Sequence, residues 1–153
     1  SAAGGEMVEG SGVRRLFDGV AARGTAAMAG GPWADCEVRL SLRSDDTGDL
    51  GVMFRVQDPD NYYRFSWNGR SGYARLVRCA AGRFEVLASR AFRYVQGRTY
   101  AVAVLARGTA LRVYVDGTLL LSAEDGRMGS GGMALYSSGN KGSVFDDIVV
   151  STA

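Results

Sequence analysis

Arg55, Gln57, Tyr62, Arg64 and Ser66 lie close together in the chain and supply one coherent kind of chemistry. Saccharide recognition needs planar hydrogen-bond donors for hydroxyl groups and an aromatic ring for the C–H face of the sugar. Arg, Gln and Tyr provide both. Tyr73, Arg75 and Tyr136 would enlarge such a surface if the fold brought them alongside. The competing explanation is ordinary: a half-buried sheet carries polar side chains on its solvent face whatever it does.

Carboxylates suggest a second chemistry. Asp146 and Asp147 are adjacent, Glu6 and Glu9 stand near the other end of the chain, and Asp45, Asp46 and Asp49 crowd one segment. A hard cation such as calcium takes several oxygens, backbone carbonyls of turns included. The Asp45–Asp49 stretch lacks the EF-hand spacing, and Asp also gathers in turns and at strand ends for local reasons.

Catalysis has little to draw on. The chain has no histidine, which removes Ser-His-Asp and Cys-His nucleophiles, His general bases and His-ligated zinc. Cys36 and Cys79 are too few for a four-thiolate metal site. Glu37 and Glu85 are isolated, and Asp116 belongs to a turn. The glycine-bearing loops Ser71-Gly72 and Gly139–Gly142 precede no helix, so they make a poor phosphate cradle. Arg70, Arg75, Arg78 and Arg83 could meet a polyanion such as an acidic polysaccharide. The net charge of +2 argues against nucleic acid. No apolar run approaches the ~18–20 residues of a membrane span.

The elements that must hold these residues are strands. In Cys36–Arg43 every second residue is apolar, the period of a half-buried strand. Gly51–Gln57 repeats the pattern, with Val52, Phe54 and Val56 on one face and Met53, Arg55 and Gln57 on the other. Asp58–Asn61 is a turn, and Tyr62–Trp67 alternates again, with Tyr62, Arg64 and Ser66 opposite Tyr63, Phe65 and Trp67. Asn68-Gly69, Ala80–Gly82 and Asp116-Gly117 read as hairpin turns. They punctuate strands at Tyr73–Cys79, Arg83–Ala88, Thr99–Ala106, Leu111–Val115 and Thr118–Ala123, followed by Gly132–Ser137 and Ser143–Val150. Phe54, Phe65, Trp67, Trp33, Val102, Val104, Leu111, Val113 and Val115 are the expected core. Val13–Ala21 has apolar residues at helical spacing, but Gly19 breaks it, and the segment reads as irregular strand and loop. With 153 residues, 46% hydrophobic and 22% charged, the chain can build one domain with its own core. Residues 1–12 read as a linker or flexible N-terminal segment, and residues 13–153 as a single module. The class is all-β: a two-sheet antiparallel sandwich.

Several of these segments resemble concanavalin A-like, laminin G-like jelly-roll domains, including modules of secreted bacterial glycan-active proteins and thrombospondin C-terminal domains. The resemblance lies in Trp33-Ala34-Asp35-Cys36-Glu37-Val38, Gly51–Phe65, Val113–Gly117, Gly132–Tyr136 and Phe145–Ile148. It implies a jelly roll with a convex and a concave sheet. It further implies a non-catalytic, lectin-like module of a larger extracellular bacterial protein, monomeric, with a polysaccharide and the parent chain's other domains as partners. A structural or adhesion module without a small ligand is the alternative, and a glycoside hydrolase-like domain is the third. Retaining hydrolases of this fold carry Glu-x-Asp-x-x-Glu or Glu-x-Asp-x-Glu on one strand, which is missing here. The resemblance also favours one structural calcium ion at Asp146 or Asp147 with Glu9. Cys36 and Cys79 are either a disulfide or two buried thiols.

Overall fold

A computed structural model describes residues 31–140 and 142–153, together with the strand course of Thr25–Ala27. The expected linker at 1–12, Val13–Ala21 and Glu9 lie outside the described residues. Among the described residues eleven strands follow in chain order: β1 (Thr25–Ala27), β2 (Cys36–Ser44), β3 (Asp49–Asp58), β4 (Asn61–Asn68), β5 (Tyr73–Ala80), β6 (Arg83–Ala91), β7 (Tyr100–Arg107), β8 (Ala110–Val115), β9 (Thr118–Glu124), β10 (Gly132–Ser138) and β11 (Ser143–Thr152). They form a six-stranded sheet, β1-β10-β3-β4-β5-β6, and a five-stranded sheet, β11-β2-β7-β8-β9. Every neighbouring pair is antiparallel.

Alternation decides what lies between the sheets. Leu50, Val52, Phe54, Tyr63, Phe65, Trp67, Leu76 and Leu135 face inward from the six-stranded sheet, against Val38, Leu40, Leu42, Val102, Val104, Leu111, Val113 and Phe145 from the other. Each such side chain contributes about 1.5–3 kcal/mol when buried. Trp67 lies at one centre of this core. Its ring stacks on Phe92 at 5.6 Å and meets Tyr94 and Tyr100 edge-on at 5.5 and 4.7 Å. Trp33 is half-buried at a bridge to Gly131 and packs against the same core.

The turns follow their residues. Asp116 and Gly117 join β8 to β9 with φ of 50° and 81°, the paired left-handed values of a type I′ hairpin. Ala81 and Gly82, at 51° and 74°, join β5 to β6 in the same way. Asn68-Gly69 is not a two-residue turn. The chain runs on to Gly72, whose N–H donates to the Asn68 carbonyl, before β5 begins. Cys36 and Cys79 are both free and buried. Cys36 points into the core between the sheets, and Cys79 belongs to a separate cluster on the outer face of the six-stranded sheet.

Candidate functional site

That outer cluster is what makes the six-stranded sheet unusual. Met53, Tyr62, Cys79, Ala134 and Tyr136 are buried together there, with Val56 packed alongside, on the side facing away from the other sheet. The register assigns the neighbours. One row across the strands is Tyr136–Gly51–Ser66–Arg75, the next is Ala134–Met53–Arg64–Val77, and a third is Tyr62–Cys79–Phe84. Tyr62, Arg64, Ser66, Tyr73, Arg75 and Tyr136, which the sequence singles out, therefore share one face.

Arg55 does not join them. Alternation puts it on the polar face, yet it is 1% exposed and points into the sandwich. The reason is local: Arg55 takes a φ of 47°, and the pairing of β3 slips between Phe54 and Asp58. Such a bulge inverts the phase of the strand. Val56, expected beside Phe54 in the core, moves to the outer face with Met53. Gln57 is exposed at the strand end, and its amide donates to the Ser130 carbonyl at 3.2 Å. Gly131 makes room for the bulge, since a Cβ there would stand 2.4 Å from the Arg55 carbonyl carbon. The Arg55 guanidinium is then fully occupied. It donates to the carbonyls of Ala34 (3.0 and 3.1 Å), Gly108 (2.7 Å) and Met128 (3.2 Å), and to Asp35 Oδ1 (3.4 Å). It is a structural tie with no donor left for a ligand.

Arg64 is the centre of what remains. Its Nε donates to Ser66 Oγ at 2.6 Å, and its Cζ lies 4.4 Å from the Tyr136 ring centre and 5.4 Å from that of Phe84. Tyr136 is on β10, two strands away. Gly51 stands between Tyr136 and Ser66 in the row beside that of Arg64 and has no side chain to block the diagonal crossing. The same glycine lets β3 and β4 approach closely, because a Cβ would fall 1.8 Å from the Phe65 carbonyl oxygen. Arg75 repeats the arrangement, its Cζ 3.8 Å from the Tyr73 ring centre and its Nε donating to Ser89 Oγ at 3.4 Å. Below both stacks is Asp49, which accepts from Asn68 (2.7 Å), the Tyr73 hydroxyl (3.0 Å) and the Tyr136 hydroxyl (3.4 Å). Burial, then the Asp49 carboxylate, raises the Tyr73 hydroxyl above its usual pKa. Burial chiefly raises Tyr136, and burial with Cys79 beside it pushes Tyr62 up to about 12. All three are neutral donors at ordinary pH.

Burial also decides which rings are open. Tyr62 and Tyr136 are only 7% and 9% exposed. Phe84, which the sequence reading passed over, is 60% exposed beside Arg64 and edge-on to Tyr62 at 6.4 Å. The signal for it was available: the Ala81-Gly82 hairpin pairs Phe84 with Cys79, and Cys79 with Tyr62. The arginine patch is broken at Arg78, which pairs with Glu85 at 2.9 Å and with Asp125.

The calcium expectation is described only in its Asp146 and Asp147 part. Those residues form a bulge in β11, where Asp147 has a φ of 53° and its N–H donates to Asp146 Oδ1 at 2.9 Å. Among the described residues no group of three or more Asp, Glu, Cys or His converges on one point, and Glu9, the third residue of the expected set, lies outside them. A groove of about 530 Å³ crosses the outer face of the five-stranded sheet, floored by Ala101 and Ala103 and walled by Arg39, Leu105 and Tyr114.

Two antiparallel layers in this order are a concanavalin A-like jelly-roll sandwich. Solved structures agree. Carbohydrate-binding module CBM66 from Bacillus subtilis superposes with a TM-score of 0.76 at 18% identity, over 84% of this chain and 83% of that one. Galectin LEC-6 from Caenorhabditis elegans gives 0.65 at 14% identity, over 84% and 96%. Domain 4 of AbnA, an extracellular arabinanase from Geobacillus stearothermophilus solved with arabinotriose, gives 0.62 at 15%, over 80% and 63%. No family profile and no curated protein matches the sequence.

Proposed function

We propose that the chain is a non-catalytic carbohydrate-binding module of a larger extracellular bacterial protein, and that the outer face of its six-stranded sheet holds the glycan. The observation that carries this reading is Arg64, fixed by Ser66 and stacked on Tyr136, beside the exposed ring of Phe84. A sugar ring lies against Phe84, and its hydroxyls accept from the free guanidinium nitrogens of Arg64 and Arg75. The printed names of the similar structures, a carbohydrate-binding module and an arabinanase domain with arabinotriose, support the same class. Binding is favoured over bond cleavage because hydrolysis works with two carboxylates, and Asp49 on this face spends its oxygens on Asn68, Tyr73 and Tyr136.

Glycan-array or polysaccharide pull-down binding should disappear in Arg64→Ala while the circular dichroism spectrum is unchanged. Binding that survives the substitution moves the site elsewhere. A protein-binding or spacer role is the second reading, favoured by the groove on the five-stranded sheet. Partner capture lost in Tyr114→Ala but kept in Arg64→Ala would select it. We also propose one structural calcium ion, taken by Asp146 or Asp147 with Glu9. A bound ion raises the melting temperature in calcium over that in chelator, and equal melting temperatures under saturating calcium refute it.

A further inference from the structure

Arg64 and Arg75 are diagonal neighbours on adjacent strands of one face, since Arg64 pairs with Val77 and Ser66 pairs with Arg75. Such neighbours sit about 7–8 Å apart. Each is half-buried, each has its Nε committed to a serine hydroxyl, and each is laid flat on a tyrosine. Their terminal nitrogens have no protein acceptor among the described residues. Neither forms an ion pair there, whereas Arg39, Arg43, Arg55, Arg78 and Arg98 all do. The nearby carboxylate that could neutralise them, Asp49, is turned to the tyrosine hydroxyls and Asn68 instead. Accepting hydrogen bonds from the two hydroxyls makes the rings richer in electron density, which strengthens their hold on the cations above them.

Two half-buried guanidiniums with like charge and unfilled forks repel each other. An anion relieves both costs at once, and a planar carboxylate matches the guanidinium fork with two parallel hydrogen bonds. We propose that the glycan held on this face is acidic, a saccharide bearing uronate carboxylates that pair with Arg64 and Arg75. This rests on the glycan-binding reading above and narrows it to a charge class. Asp49 is a positioning residue here: it orients Tyr73 and Tyr136, which in turn hold the two guanidiniums.

The test uses the whole chain in chelator, with oligogalacturonate, the same oligosaccharide after carboxyl reduction, and dextran sulfate as probes in titration calorimetry. Oligogalacturonate should bind about ten- to a hundredfold tighter than its reduced form, and more weakly as salt rises. Arg64→Gln and Arg75→Gln should each lose about tenfold or more of that affinity. Arg64→Lys should not restore it, because an ammonium keeps the charge but not the fork. Arg107→Gln, exposed on the other sheet, should bind as the parent does. Equal affinity for the reduced oligosaccharide overturns the charge inference and leaves glycan binding standing. Binding neither form, nor any neutral glycan, overturns both. An equal loss in Arg107→Gln, or preference for dextran sulfate, overturns the carboxylate assignment in favour of diffuse or sulfate recognition.

Discussion

A guanidinium sealed inside a sandwich must be matched donor for donor. Arg55 meets that demand through Ala34, Gly108, Met128 and Asp35, and so ties the end of β3 to three separate loops. The tie carries a cost, since a left-handed φ at a non-glycine residue is strained by about 1–3 kcal/mol. Replacing Arg55 by Met leaves those carbonyls facing an apolar side chain. The unfolding free energy in urea should fall by about 1–3 kcal/mol or more as buried carbonyls lose their donors, and Lys should rescue little because its single nitrogen cannot span the same acceptors. Strict alternation carried Arg55 to the wrong face because period two holds only while the register holds. The cue to the slip is Gly131, far along the chain, and it becomes visible only when that backbone is laid against Arg55. Arg64, Ser66 and Tyr62 were legible because β4 pairs without a slip from Asn68 to Tyr62 against β5.

Strands and turns are written in the local sequence, as residue alternation and turn pairs. Asp116-Gly117 suits its turn by backbone preference, Ala81-Gly82 does so through Gly82 while Ala81 is held at a φ of 51°, and each neighbouring strand begins within a residue or two of where alternation begins. Gly117→Ala should lower stability by about 1–2 kcal/mol, the cost of forcing a Cβ into the left-handed region, as read by chemical denaturation. Beyond β9, Asp125 joins elements that alternation cannot connect. Its Oδ1 accepts from Tyr63 at 2.5 Å and from the Arg127 N–H at 3.0 Å, and Arg78 pairs with its other oxygen. Burial pulls the Asp125 pKa up, but these hydrogen bonds and the Arg78 charge outweigh it and hold the carboxyl below its ordinary value. A depressed folded-state pKa stabilises the fold above the unfolded value of about 4 and is lost as pH falls through the folded one. Melting temperature should therefore drop on acidification below about pH 4, and the drop should shrink in Asp125→Asn.

For the molecule as a whole, the two sheets give the chain one interior and one half-covered outer face. The sequence anticipates the interior because aliphatic and aromatic residues alternate along nearly every strand. It anticipates the outer face poorly, because Met53, Tyr62 and Ala134 there look like a second core stripe and their partners come from β3, β4 and β10 at once. The division also separates the thiols. Cys36 lies between the sheets and Cys79 beyond one of them, so reductant should leave the melting temperature unchanged, and intact mass should show two free thiols per chain after alkylation in denaturant.

Of the chain's two tryptophans, Trp67 is fully shielded and its indole N–H donates to the Phe92 carbonyl at 2.8 Å. Its emission should be short in wavelength while the sandwich is intact and shift to the red on denaturation. Since its ring points away from the arginine-bearing surface, that colour reports assembly of the protein and stays blind to whatever occupies the opposite side.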